Sequence, residues 1–82
     1  MFYVYVIEDE GEKIYIGYSA DLKSRLRCHN EGFNGSTRGR RWKLIYYEAY
    51  RTEKLARQRE KQLKHHGKAK QALLKRLRDE NH

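Results

Sequence analysis

Tyr3-Val4-Tyr5 and Tyr15-Ile16-Gly17 place phenols on two short aromatic and aliphatic segments, and Arg25 and His29 follow one helical turn apart. These are the groups that phosphodiester cleavage needs. A guanidinium is a permanently charged planar fork for phosphate oxygens, and an imidazole one turn away can pass a proton or bind a phosphate. A phenol can hydrogen-bond a phosphate or an attacking water. Its ordinary pKa near about 10 makes it a poor base unless a metal or cationic neighbour lowers it. The missing part is a metal-binding carboxylate. Glu60, set among Arg57, Arg59, Lys61 and Lys64, is the candidate. One carboxylate can hold a hard divalent cation while water fills its other positions.

Each group also has a plain reading. Tyr3, Tyr5 and Tyr15 can be strand aromatics packed against helices. Arg25 can lay its methylene stem along the core, with His29 as a satisfied, half-buried side chain. Glu60 can be no more than the partner of Lys64 at i+4. The segment Ser36-Thr37-Arg38-Gly39-Arg40-Arg41-Trp42 combines hydroxyls, cations and an indole. It suits phosphate contact through Arg38, Arg40 and Arg41, with a base stacked on Trp42; equally, it is a solvated loop whose tryptophan anchors the next strand. Lys61 and Lys64 belong to a basic C-terminal stripe that is either a nucleic-acid footprint or a charged solvent face. His65-His66 diverge on a helix and have no partners spaced to complete a zinc site. Neither a phosphate-cradling glycine loop nor a nucleophile elbow is present.

The elements that must position these groups follow from local pattern. Phe2–Ile7 is aromatic and β-branched and reads as a strand, 9–12 is turn chemistry, and 13–17 reads as the return strand of a hairpin. Period-two alternation puts Tyr3 and Tyr5 on one face of the first strand, and Tyr15 and Gly17 on one face of the second. Whether those faces coincide is left open by the pattern. Ser19 or Asp21 can cap a helix that runs to about Glu31, with Gly32 as its stop. Leu22 and Leu26 mark its buried stripe, and Arg25 and His29 border it. A loop covers 33–41 and a third strand 42–50. Thr52 caps a second helix on which Leu55, Ala56, Arg59 and Leu63 share a side, Glu60 being at its margin. After Gly67, the residues Ala69, Ala72, Leu73 and Leu77 make a last amphipathic helix. The order β-β-α-β-α-α is that of a small α+β layer fold.

The 82 residues allow one domain, 1–82, with one modest core. A chain so short buries only about 60% of its unfolded surface, which favours a shallow surface site over a deep pocket. The formal charge of +8 attracts polyanions, nucleic acid first and an anionic membrane second. The single Cys28 allows no internal disulfide, and the longest apolar run, Phe2–Ile7, is too short to span a bilayer. These features fit a cytosolic, cytoplasmic protein.

Taken in order, Tyr3-Val4-Tyr5, Tyr15-Ile16-Gly17, the stretch Asp21-Leu22-Lys23-Ser24-Arg25-Leu26 closing on His29-Asn30, and Arg59-Glu60-Lys61 resemble the GIY-YIG nuclease superfamily, in particular its small single-domain bacterial members. The resemblance covers nearly the whole chain. It implies a three-stranded antiparallel sheet flanked by helices and hydrolysis of phosphodiester bonds with one divalent cation, Mg2+ or Mn2+. Carried over, Glu60 is similar to the metal ligand and Arg25 to the residue that grips the scissile phosphate. Tyr5 is similar to the partner of the attacking water, with Tyr15 assisting, and His29 matches a histidine with a role in proton transfer or phosphate contact. Three departures stand out: Tyr3 replaces the glycine of the first triad, Tyr18 stands where some branches carry lysine, and only Asn81 follows Glu60 where many members have an asparagine. The expected function is an endonuclease acting on DNA in preference to RNA, with branched or damaged DNA, and so DNA repair, as the setting. The protein would be a monomer or weak homodimer with no membrane partner. The alternatives are a nucleic-acid-binding module of the same fold without efficient cleavage, and a basic partner-binding protein.

Overall fold

In the computed structural model, residues 1–32 and 39–80 are described. The elements are β1 (Phe2–Asp9), β2 (Ile14–Ser19), α1 (Leu22–Asn30), β3 (Trp42–Tyr50), α2 (Glu53–His65) and α3 (Gly67–Glu80), the expected β-β-α-β-α-α order of an α+β fold. The strands form one antiparallel sheet in the order β2-β1-β3, so β1 is central and β2 has a free edge. Among the described residues, no helix is long and apolar enough to cross a membrane.

The hairpin is closed by Asp9. Its buried carboxylate accepts from the amides of Gly11 at 2.9 Å and Lys13 at 2.7 Å, and it pairs with Arg40. Burial raises the pKa of this carboxyl, but the Lys13, Arg40 and Gly11 donors outweigh that and hold it below its ordinary value. The resulting register sets Tyr5 opposite Gly17 and Ile7 opposite Tyr15. The two tyrosine faces therefore do coincide.

Alternation along β1 feeds two cores. Val4 and Val6 pack with Ile16, Ala56, Leu63, Leu73 and Leu77 beneath α2 and α3, whereas Tyr5, Ile7 and Trp42 pack with Leu22, Leu26 and Leu44 beneath α1. The sheet thus lies between a one-helix layer and a two-helix layer. Between Val6 and Ile7 the pairing with β3 slips by one residue, and this slip keeps both Leu44 and Tyr46 facing inward.

Asp21, one of the two expected caps, starts α1 by accepting from the Ser24 amide, and the Ser19 hydroxyl instead closes the turn leading into it. Thr52 caps α2 as expected, its hydroxyl accepting from the Leu55 amide. The apolar stripe of α2 is narrower than its pattern suggested. Ala56 and Leu63 are fully buried, but Leu55 is 47% exposed, and Ala72 on α3 is exposed as well. Only the inner arc of each helix reaches a sheet this small, so apolar residues at the margin stay in water. On the far side of α2 from its free surface, Arg59 pairs with Glu48 of β3 at 2.9 Å, and Glu48 also accepts from Tyr46 and Tyr50. This network pins α2 to the sheet.

Candidate active site

The groove lies along the free edge of β2, where α1 on one face and α2 on the other come within reach of each other. Tyr5, Tyr15 and Gly17 form its floor, Ser24, Arg25 and Cys28 its α1 wall, and Glu53 and Glu60 its α2 wall, around a space of about 670 Å³. Tyr5, Tyr15, Arg25 and Glu60, separated widely in sequence, thus face one shallow depression.

Gly17 determines how the floor is laid. The Tyr5 ring lies flat across it, and a Cβ at that position would come within 2.6 Å of the Tyr5 Cζ. The ring stacks beside Tyr15 at 6.5 Å between centroids, and its hydroxyl meets the Nε2 of His29 at 2.8 Å. His29 is 0% exposed, more deeply placed than a border position on α1 implied. The rings of Tyr15 and Trp42 pack edge-on and tilted around it, at 4.8 and 6.5 Å.

The Arg25 charge on its own does not bring the Tyr5 pKa below its ordinary value. Burial, reinforced by the nearby Tyr15 and only partly offset by the Arg25 charge, pushes the Tyr5 phenol well above its ordinary value instead of lowering it. Burial, with the Arg25 charge second, holds the His29 imidazole below its ordinary value. Both groups are therefore neutral at neutral pH. In the tautomer that carries its proton on Nδ1, the phenol donates to Nε2 of the imidazole.

Arg25 differs from His29 in being exposed on the groove wall. Among the described residues no carboxylate lies within ion-pair distance of its guanidinium, in contrast to Arg59, which Glu48 occupies. Glu60 projects from the margin of α2 with its side chain 19% exposed, and the Lys64 ammonium lies 3.4 Å from its carboxylate. No cluster of three or more metal-ligating side chains exists among the described residues. The donor set still suits a hard cation that keeps most of its waters and takes a single carboxylate.

The residues expected to contact nucleic acid divide. Lys61 and Lys64, with Lys54 and Arg57, line a second depression on the free face of α2 that meets the groove at Glu53 and Glu60. Arg40 is tied to Asp9 and Arg41 is exposed beside it. They stand at the Asp9 end of β1, four residues or about 13 Å from Tyr5. Trp42 does not offer a face to a base: it is 5% exposed, packs on Tyr15 and His29, and exchanges hydrogen bonds with Asn30. Its apolar area is worth more in the second core than in solvent, so it anchors β3 to the end of α1. Arg38 and Asn81 fall outside the described residues.

Some groove residues escaped the sequence reading. Cys28 follows Arg25 by three positions and so shares its face of α1, a spacing that could have located it. Glu53, seven residues before Glu60, lines the groove by the same periodicity on α2. The clearance role of Gly17 has no signal in spacing, because it depends on which residue faces it across the hairpin.

Comparison with known proteins identifies the family and the fold. The family model of the GIY-YIG catalytic domain matches residues 1–75. A UPF0213 protein of Haloquadratum walsbyi is 36% identical over 88% of this chain and 83% of its own length. A UPF0213 protein of Clostridium perfringens is 33% identical over 100% of this chain and 94% of its own. The solution NMR structure of a UPF0213 protein from Bacillus halodurans aligns with a TM-score of 0.57 at 31% identity, covering 94% of this chain and 85% of the other. With its sheet order, its paired tyrosine strands and a family match spanning most of its length, this chain belongs to the GIY-YIG family.

Proposed function

We propose that residues 1–82 act as one nuclease domain that hydrolyses phosphodiester bonds in DNA, with Tyr5, Tyr15, Arg25, His29 and Glu60 as its working residues. The observation that carries this reading is the groove itself, which gathers phenols from β1 and β2, an arginine from α1 with no carboxylate within ion-pair distance among the described residues, and the Glu60 carboxylate from α2. Glu60 would hold the divalent cation, magnesium or manganese, which when bound supplies Lewis-acid polarisation of the phosphate and charge stabilisation at the leaving oxygen.

The protein's own groups have distinct tasks. Arg25 grips non-bridging oxygens of the scissile phosphate and offsets the charge that builds up on them. Tyr5 is too weakly acidic to serve as a pre-formed phenolate. It instead takes the proton of the attacking water as it gives its own to Nε2 of His29, so that the imidazole holds the proton and no phenolate need accumulate. Tyr15 positions the Tyr5 ring and shields His29 from solvent. The cations of α2 take the flanking phosphates, and a protein of this charge working in the cytosol on branched or damaged DNA is the setting that fits.

The test is nicking of supercoiled plasmid, and of a panel of flapped and branched duplexes, with magnesium or manganese. Wild type should cut, whereas Glu60→Ala and Arg25→Ala should bind DNA and fail to cut. If wild type binds these substrates as the variants do and none is cut, a binding module of the same fold is the better reading.

A further inference from the structure

Glu60 does not face the groove alone. The Lys64 ammonium stands 3.4 Å from its carboxylate and 5.5 Å from the centre of the Tyr15 ring, over the ring's face. An ordinary i, i+4 pair on a helix surface extends into water and adds little. This one is drawn inward. Glu60 is the more buried partner, and Tyr15 belongs to the floor of the same groove. Among the described residues Lys64 is the only cation within ion-pair distance of Glu60.

A carboxylate engaged by an ammonium cannot give its full charge to a divalent cation, and the two cations repel when both are close. A lysine head on a four-carbon stem can change partners without moving the backbone, and its donors suit a phosphate oxygen as well as a carboxylate. Lys64 also lines the basic depression on α2 that meets the groove at Glu60, where a strand entering the groove would pass.

Resting on the nuclease reading above, we infer that Lys64 couples metal loading to substrate loading. In the free protein its ammonium occupies Glu60. When nucleic acid enters, the ammonium turns to a phosphate oxygen and leaves the carboxylate to the cation. Linkage requires the reverse as well: whatever factor the substrate adds to metal affinity, the metal adds to substrate affinity.

The experiment uses Lys64→Met, which keeps the apolar stem over Tyr15 and removes the charge, with Lys64→Gln as a second variant and Lys13→Met in the hairpin turn as the charge control. Manganese binding to the free proteins is followed by electron paramagnetic resonance, and cleavage of supercoiled plasmid is measured in single turnover at saturating manganese. Lys64→Met should bind manganese about 3- to 10-fold more tightly than wild type. It should nevertheless cut at least about 10-fold more slowly. Lys13→Met should match wild type in both. Equal manganese affinity in Lys64→Met and wild type, or an equal gain in Lys13→Met, overturns the inference and leaves a helix-surface pair. Tighter binding with undiminished cleavage overturns it too, because Lys64 would then only obstruct the site. If no variant shows manganese binding that Glu60→Gln abolishes, it is the nuclease reading that fails, a result distinguishable from failure of the lysine's role alone.

Discussion

At the scale of residues, the tightest constraint in the groove is the fit of Tyr5 over Gly17. A methyl group there meets the phenol ring, whose far end is held by His29, so the ring cannot simply swing aside. Gly17→Ala should cost about 1–3 kcal/mol in chemical denaturation, as overpacking of a settled core does. It should also reduce plasmid cleavage, because the displaced phenol leaves Nε2. The histidine sets a pH dependence of definite sign. Its folded pKa lies below the ordinary 6.5, so below that pH the unfolded chain takes up protons that the folded one refuses. Stability contributed by His29 is therefore complete above the unfolded value and is lost as pH falls through 6.5 toward the folded pKa. Cleavage should fall only as pH drops to the folded pKa, since a protonated imidazole accepts nothing from Tyr5. Denaturation midpoints measured across this range should decline in wild type and flatten in His29→Gln.

At the scale of elements, α2 carries Glu60 toward the groove and Arg59 toward β3, and the second contact fixes the first. Burial raises the Glu48 carboxyl, but the Arg59 guanidinium and the Tyr46 and Tyr50 hydroxyls outweigh it and hold its pKa below the ordinary 4.5. Glu48→Ala removes the acceptor of this network and leaves a half-buried guanidinium without its partner. A loss of about 1–3 kcal/mol in thermal unfolding is expected, and manganese binding at Glu60 should weaken as α2 loosens. The elements themselves were legible because capping and turn chemistry are local: Thr52, the 9–12 turn and the bounds of β3 all appear where side-chain type alone put them. The candidate site was legible only as a set of residues. Its geometry depends on the hairpin register and on which helix faces the free edge of β2, and neither is written in neighbouring residues. Trp42 shows the limit. An indole beside arginines resembles a stacking platform, and only the second core, drawn from β1, β2 and α1, explains its burial. Tyr5 shows it again, because both the Arg25 charge that lowers its pKa and the burial that raises it are tertiary, and burial is the larger.

At the scale of the whole molecule, the charge of +8 is displayed unevenly. Lys54, Arg57, Lys61 and Lys64 crowd one face of α2, and Arg40 and Arg41 stand at the Asp9 end of β1. Contacts with four or so phosphates through α2 predict that log affinity for duplex DNA falls with log salt at a slope of about −3 to −4. Replacing Lys54 and Lys61 together by methionine should reduce that slope by about 2, whereas Arg41→Met should leave it close to the wild-type value; filter binding across salt concentrations measures both. A further consequence follows from the placement of the groove astride the sheet. One wall belongs to the layer beneath α1, the other to the layer of α2 and α3, and the floor to strands shared by both. Neither half of the molecule holds a working fragment. Whatever chemistry the groove performs should vanish in step with the last cooperative melting of the chain, with no partly active species surviving on the way, so any substitution that erodes stability will register as a loss of output near the melting range even when it lies far from a reacting atom.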